Sequence, residues 1–268
     1  MMSLPPQFQF SQTNLQDYAD CPRRFELRHI QRLHYPSIES EPQLEREAHA
    51  KRGDAFHRLL HQYFSGVSSE KISASATDPD LSRWWNHFLR AKLPFLPEKA
   101  HYPEITLSVP IEGVRLIAKY DLIAQAKTGE FWVMDWKTQR KATPRDILQH
   151  RLQTVVYPYV LARAGASLAD GEKIAPEKIH MGYWYAETGT LEAFHYDSAQ
   201  FAHAETTLTR MIADIKKRTH FELTSNTRHC GFCTYRSLCG RGEPAQGLDD
   251  EDVVLDLDEQ FDLDWETL

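Results

Sequence analysis

Two neighbouring apolar segments constrain this chain most, because each is expected to form a strand that carries an aspartate. The first is VRLIAKYDLIA at 114–124, which contains Asp121, and the second is EFWVMDWK at 130–137, which contains Asp135 and Lys137. A turn around residue 128 separates them, so we expect a hairpin. Alternation along the second strand then predicts that its Asp and Lys share one face, opposite the tryptophan between them.

The two aspartates are expected to lie side by side across this hairpin. Two carboxylates at close range repel unless a cation lies between them, and carboxylates in apolar strands are costly unless paired or metal-bound. Oxygen ligands of this kind suit Mg2+ or Mn2+. Lys137 beside such a metal would stabilise charge on a phosphate or orient a water. A surface salt bridge is the alternative interpretation of D-x-K, and Glu104 is a candidate third acid.

The four cysteines are the second constraint. Cys230, Cys233 and Cys239 lie in CGFCTYRSLCGRG, and Cys21 lies 209 positions upstream of the first of them. In a reducing cytoplasm we expect these thiols to bind a metal rather than form disulfides. Four thiolates suit either zinc or a [4Fe-4S] cluster, and their spacing does not decide between the two. Either centre would join the N-terminal segment to the C-terminal one.

The remaining pattern predicts a mixed α/β chain with one core and helical segments at both ends. Helices are predicted at 11–20, about 44–64, 81–92, 143–164 and about 198–218. Strands are predicted at 103–111, 114–124, 130–137, 178–186 and 190–195, with loops at 36–44 and 65–80. Thr143 is predicted to cap the helix that begins at Pro144.

Charge separates a tail from the rest of the chain. Residues 249–268 hold ten acidic and no basic residues, which leaves 31 basic against 28 acidic residues elsewhere. We therefore predict a folded domain at 1–247 and an acidic, disordered tail at 248–268. A docking peptide for a protein partner, or a mimic of DNA, is the alternative for the tail. No stretch approaches 18 apolar residues and the N-terminus does not resemble a secretion signal, so we expect a cytoplasmic protein without a membrane contact.

Six motifs in a single order resemble the PD-(D/E)XK nuclease superfamily, in its RecB-like iron-sulfur branch. They are SQTNLQDYADCPRRF, GDAFHRLL, KYDLIA, DWKTQR, QTVVY and the three-cysteine end, and they span about residues 10–242. That branch includes the AddB nuclease domain and the CRISPR-associated RecB-type exonucleases. The resemblance implies a restriction-endonuclease-like core, a mixed central sheet flanked by helices, whose terminal segments are joined by a four-cysteine metal cluster. Ala118 departs from the glycine that is frequent there in the family.

The resemblance also implies a role for each matched residue. The Mg2+ or Mn2+ ligands would be His57, Asp121, Asp135 and the backbone carbonyl of Trp136. Lys137 would be the catalytic lysine, and Gln153 and Tyr157 would line the site and position the scissile strand. A [4Fe-4S] cluster is favoured over zinc for the cysteines, which are Cys21, Cys230, Cys233 and Cys239.

Together these implications predict a metal-dependent deoxyribonuclease. We expect an exonuclease that hydrolyses phosphodiester bonds in single-stranded DNA or frayed ends, during DNA repair, recombination or CRISPR adaptation. The alternative is a non-catalytic DNA-binding or assembly subunit that keeps the fold, which the intact His-Asp-D-x-K set disfavours. A zinc-stapled structural protein is a third interpretation.

Overall fold

Runs of helices and runs of strands follow one another along the chain in a computed structural model, which describes residues 4–5, 7–33, 41–96, 98–231 and 233–242, with backbone alone at 41–47. The predicted tail lies outside these residues. The helices are α1 (Gln12–Asp20), α2 (Pro22–Phe25), α3 (Glu41–Phe64), α4 (Ser69–Ser75), α5 (Pro79–Arg90), α6 (Arg145–Leu148), α7 (Leu152–Ala164) and α8 (Ser198–Lys217). The strands are β1 (Gln9–Phe10), β2 (Glu98–Pro103), β3 (Thr106–Ile111), β4 (Val114–Lys119), β5 (Leu122–Ala126), β6 (Phe131–Lys137), β7 (Ile179–Tyr185) and β8 (Thr190–His195).

Two sheets organise these strands. The larger has the order β2-β5-β6-β7-β8, in which β6 and β7 are parallel and the other neighbours are antiparallel. The smaller has the order β1-β4-β3, with β1 parallel to β4. The predicted mixed α/β fold with helices flanking mixed sheets is confirmed, and it fits a restriction-endonuclease-like core. Among the described residues, no helix is both long enough and apolar enough to cross a bilayer.

The larger sheet separates two apolar cores. Because side chains alternate along β6, Phe131 and Val133 pack with α7, α8 and the smaller sheet. Trp132, Met134 and Trp136 pack on the opposite face with α3, α4 and α5. A residue at the end of β6 therefore lies between the helices that cover the two faces of the larger sheet.

Two predicted strands contain a point at which the chain passes from one sheet to the other. The first, predicted at 103–111, includes only the last residue of β2 before that point, so the rest of β2 was not predicted. Glu104 breaks the first with a φ of 51°, which separates β2 from β3. Tyr120 and Asp121 break the second, between β4 and β5. The two segments stay paired across the break, since the Glu104 N–H donates to Asp121 O (3.0 Å) and the Tyr120 N–H donates to Ile105 O (2.9 Å). The crossing therefore brings Glu104 and Asp121 together.

The helix predicted over 143–164 is also divided, into α6 and α7. Pro144, not Thr143, is the residue that precedes the first helical turn, so the predicted cap is wrong. The cause is that Thr143 is buried, and its hydroxyl accepts a hydrogen bond from Gln139 Nε2 (2.9 Å). Its N–H donates to the hydroxyl of Tyr185 (3.1 Å), which leaves the side chain no freedom to cap.

Two predicted loops contain helix as well. Helix α4 lies inside the loop predicted over 65–80, and it buries one apolar side chain, Ile72. A single apolar residue gives no periodic signal, so the sequence alone did not indicate this helix. Residues 41–44 of the other predicted loop belong to α3, while 36–40 lie outside the described residues.

Candidate active site

The side chains predicted to form an active site meet where β6 ends. We call this region the acid site, and it consists of His57, Glu104, Asp121, Asp135, Lys137 and Gln153. Helix α3 supplies the histidine, the crossing between the two sheets supplies the glutamate and one aspartate, and α7 supplies the glutamine. Every residue predicted for catalysis or divalent-metal binding is in this region or contacts it.

Asp135, Lys137 and Gln153 form a buried polar set. Lys137 Nζ lies 3.0 Å from Asp135 Oδ2, so the two side chains share a face of β6 as alternation predicted. Gln153 Nε2 donates to Asp135 Oδ1 (2.5 Å), and Lys137 Nζ donates to Gln153 Oε1 (3.4 Å). Asp135 is 7% and Lys137 3% exposed. Burial of a charged pair is tolerated when its remaining polar atoms are bonded, and Gln153 provides that bonding.

His57 bridges two groups that were predicted to bind a metal. Its Nε2–H donates to the Trp136 carbonyl (2.7 Å), while its Nδ1 lies 3.4 Å from Asp121 Oδ1. Burial alone lowers the pKa of His57, but the Asp121 carboxylate outweighs it and raises this pKa to about 9. Burial likewise opposes ionisation of Asp121, yet His57 and the Trp136 N–H (3.0 Å) hold the pKa of Asp121 below its ordinary value. The protonated imidazole of His57 thus offsets the negative charge of the Asp121 carboxylate.

Glu104 completes a group of three metal-type ligands with His57 and Asp121. One ligand atom from each lies within 4.8 Å of the other two, and no other such group of His, Cys, Asp or Glu occurs among the described residues. Two carboxylates and an imidazole are a donor set that suits Mn2+ or Mg2+. Glu104 lies in none of the six motifs. Its placement depends on the sheet crossing, for which the sequence gives no local signal.

Tyr157 lies behind the site rather than inside its opening. Its ring packs on Tyr120 (4.9 Å between centroids), and its backbone carbonyl accepts a hydrogen bond from the Tyr120 hydroxyl (2.9 Å). Burial raises the pKa of Tyr157 well above its ordinary value, so the phenol stays neutral. Because it also hydrogen-bonds Gln153, Tyr157 can orient that side chain but cannot act as a base near neutral pH.

The four cysteines line one pocket, which we call the cysteine pocket and define by Cys21, Cys230, Cys233 and Cys239. Cys21 is buried at the start of α2, whereas the other three are half-buried in a short 3-10 helix and turns after α8. Three arginines line the pocket as well, namely Arg24, Arg236 and Arg241. Arg241 Nη1 donates to Cys230 Sγ (3.2 Å), which suits a thiolate.

The spacing of these thiols differs from that of a single-ion site. Four thiolates around one zinc, at about 2.3 Å from the metal, would place their sulfurs less than about 4 Å apart. In the described part of the chain, the acid-site group alone has three or more ligand atoms within 4.8 Å of one another. No three of the four sulfurs are therefore as close together in this structure as a single zinc ion would hold them.

A buried ion network supports the N-terminal side of the cysteine pocket. Asp17 is fully buried, and its carboxylate contacts Arg24 Nε (2.5 Å), Arg28 Nη1 (3.2 Å) and His29 Nε2 (2.6 Å). Burial alone would raise the pKa of Asp17, but these partners hold it below its ordinary value. Arg24 also pairs with Asp20 (2.7 Å), so its guanidinium is engaged within the protein.

Comparison with known proteins supports the fold. A family model for the PD-(D/E)XK nuclease superfamily matches residues 9–240. A solved structure of a candidate exonuclease from Eubacterium rectale aligns over 90% of this chain and 90% of its own, with 10% identity and a TM-score of 0.51. The structure of SSO0001 aligns over 88% of this chain and 87% of its own, with 14% identity and a TM-score of 0.43. No functionally curated protein matches the sequence.

Proposed function

Because this chain belongs to the PD-(D/E)XK nuclease superfamily, we propose that it is a Mg2+- or Mn2+-dependent deoxyribonuclease that removes nucleotides from single strands or frayed ends. One observation supports this most. Asp135 and Lys137, both bonded by Gln153, are buried at the end of β6. Trp136, whose carbonyl accepts the hydrogen bond from His57, lies between them. A lysine, a carboxylate and a cation site at one point are what phosphodiester hydrolysis requires.

The divalent metal would be held by His57, Asp121, Asp135 and the Trp136 carbonyl, with Glu104 as an added ligand. A metal there supplies positive charge for the scissile phosphate and increases the acidity of a water. His57 contacts both Asp121 and the carbonyl through its two nitrogens, so it must release a proton to become a ligand. We therefore expect metal affinity to rise with pH up to about 9, the pKa of His57.

Lys137 would act on the phosphate. Its ammonium lies 3.0 Å from Asp135, which keeps it charged in a nearly buried position. A fixed positive charge next to the reacting phosphate stabilises the charge that builds in the transition state. Gln153 bonds both side chains and Tyr157 bonds Gln153, so α7 would hold the pair at the distance that the reaction needs.

The test compares cleavage and binding in matched variants. Single-stranded DNA labelled at the 5′ or the 3′ end is incubated with Mg2+, Mn2+ or EDTA. We expect Asp135→Asn and Lys137→Ala to lower the cleavage rate by at least about 10²-fold, with DNA affinity retained. Lys127→Ala, at an exposed turn, is the control. Full activity in either site variant would contradict the proposal, and cleavage of a closed circular strand would contradict an exonuclease.

We also propose that the cysteine pocket binds a [4Fe-4S] cluster, as in the RecB-like iron-sulfur branch. The common pocket of the four thiols, their spacing and the adjacent Arg241 support this. The cluster would tie the segment before α2 to the segment after α8. Anaerobic purification should yield a brown protein with about four irons and four sulfides per chain. A colourless protein with one zinc per chain would favour the zinc alternative.

For the chain as a whole, we propose a nuclease domain at 1–247 and an acidic segment at 248–268 that contacts a protein partner. An activity of this kind serves DNA repair, recombination or CRISPR adaptation. Deletion of 248–268 should leave the cleavage rate and the affinity for DNA unchanged. An increase in either would indicate instead that the acidic segment competes with DNA for the nuclease domain.

A further inference from the structure

Helix α3 contacts the segment around Lys137 at three points on one helical face, two of them on its main chain and one on a side chain. His57 Nε2 bonds the Trp136 carbonyl (2.7 Å), as described above. One turn earlier, Gly53 is so close to Thr138 that a Cβ on it would lie 2.9 Å from the threonine Oγ1. One further turn back, the Nε2–H of His49 donates to the Thr138 carbonyl (3.0 Å). Residues four apart share a helical face, so all three contacts belong to a single interface.

The environment of His49 suits a fixed neutral donor. A carbonyl can only accept, so the hydrogen is on Nε2. The ring is half-buried and meets Trp84 edge-on, with 5.7 Å between centroids. Burial, together with the charges of Arg52 and Arg140, holds the pKa of His49 below its ordinary value. The imidazole thus stays neutral at physiological pH and keeps this hydrogen bond.

The Thr138 carbonyl is the first one beyond the sheet ladder. The neighbouring Lys137 carbonyl still accepts a hydrogen bond from Ala186 N–H (2.7 Å), directly after β7. Thr138 follows the end of β6, and its carbonyl is bonded by α3 instead. The main chain after Lys137 is therefore fixed on two sides, by the hydrogen bond from Ala186 and by the one from His49 of α3.

We propose that His49 is a positioning residue, which fixes the main chain after Lys137 and so keeps the Lys137 ammonium and the Trp136 carbonyl in place. This inference rests on the proposed function, which gives those two groups their roles. The Trp136 carbonyl is itself a proposed metal ligand, so a bound metal would compete with His57 for it. His49 bonds a different carbonyl, so its contact between α3 and this segment persists.

Three variants distinguish the effect of the hydrogen bond from His49 to Thr138 from the effect of the packing of its ring on Trp84. His49→Phe keeps a ring against Trp84 but has no donor, whereas His49→Gln loses the ring but offers an amide N–H at a similar reach. His61→Phe, on the exposed side of α3, is the control. The readouts are kcat and KM on single-stranded DNA and Mn2+ affinity from the EPR signal of free Mn2+. For the Phe variant we expect kcat and Mn2+ affinity each to fall on the order of 10-fold, at unchanged KM.

Rescue by glutamine decides the outcome. The Gln variant should stay within about 3-fold of the wild type in both quantities, because its amide N–H can still donate to the Thr138 carbonyl. A Phe variant equal to the wild type would overturn the inference, as would a Gln variant impaired as much as the Phe variant. If the wild type cleaves no DNA but binds Mn2+, the proposed function fails, and the Mn2+ affinities alone decide the role of His49. A wild type that neither cleaves DNA nor binds Mn2+ would overturn both.

Discussion

The acid site and the cysteine pocket are both proposed metal centres, but the protein builds them in different ways. In the acid site, helices, strands and the sheet crossing supply the side chains, and hydrogen bonds such as Gln153 to Asp135 already fix them. In the cysteine pocket, three of the four thiols lie in turns after α8, and Cys21 alone is well buried. The sheets therefore organise the acid site through the protein's own contacts, whereas we expect the pocket to depend on the proposed cluster to keep its segments together.

Removing one cluster ligand should produce the largest effect on stability. We expect Cys21→Ser to lose iron and to lower the free energy of unfolding by several kcal/mol, because a structural metal centre contributes to folding directly. Urea unfolding and iron content measure this, and limited proteolysis should reveal new cleavage between 220 and 242. Asp121→Asn, in the acid site, should lose less stability than this, since His57 can then stay neutral and keep its hydrogen bond to the Trp136 carbonyl. If Cys21→Ser and Asp121→Asn were equally stable, the proposed difference between the cysteine pocket and the acid site would be wrong.

Asp17 tests whether the N-terminal side of the cysteine pocket has support of its own. Asp17→Asn leaves buried cations without their anion, so we expect a loss of about 3–5 kcal/mol at pH 7. The folded state lowers the pKa of Asp17, so its contribution is present above pH 3.8 and is lost as the pH falls towards the folded pKa. The wild type and the variant should therefore converge in acid. Urea unfolding from pH 7 to pH 3 tests this, with exposed Asp170→Asn as control.

Glu104 tests whether the acid site really uses the group formed at the sheet crossing. Glu104→Gln removes one negative charge near His57 and Asp121, so Mn2+ affinity should fall on the order of 10-fold. Thermal stability should change little, since the ion pair that Glu104 makes with Lys119 (2.8 Å) is partly exposed to solvent. Titration of Mn2+ by EPR measures the affinity, with exposed Glu172→Gln as the matched control. Unchanged affinity would restrict the metal ligands to the motif residues.

Gly53 tests how closely α3 packs on the chain after β6. Gly53→Ala should cost about 1–3 kcal/mol, because its Cβ would meet the Thr138 hydroxyl at 2.9 Å. In a Thr138→Ala background the same change should be neutral, or stabilising by up to about 1 kcal/mol, since alanine favours the helix. Urea unfolding of the four proteins in this double-mutant cycle gives the coupling. Additive effects would mean that the close approach carries no strain.

Many of the features predicted from the sequence depend on the periodicity of side chains within a single segment. Alternation placed Asp135 and Lys137 on one face, and the structure joins them at 3.0 Å. The bounds of β8 match the prediction at 190–195, and α8 ends one residue before its predicted limit. These features depend on neighbours within the same segment, so a sequence pattern is enough to reveal them.

The features that the sequence did not reveal depend on distant partners. The strand predicted over 114–124 is an apolar segment that only the crossing between the sheets divides, and β2 was not predicted except for its last residue. Thr143 has the chemistry of a cap, but Gln139 and Tyr185 occupy its polar atoms. His49 lies outside every motif, and its acceptor is 89 residues away along the chain. No local pattern encodes such contacts.

The cysteine pocket also has a consequence for the polymer statistics of the unfolded chain. A centre that binds Cys21 and Cys230 closes a ring of about 200 residues, since these positions are 209 apart. Treated like a covalent cross-link, a ring of this size removes about 5 kcal/mol of configurational entropy from the unfolded state at 25 °C. This term grows only with the logarithm of the contour length. Insertions in the loops between the two ends should therefore leave it almost unchanged.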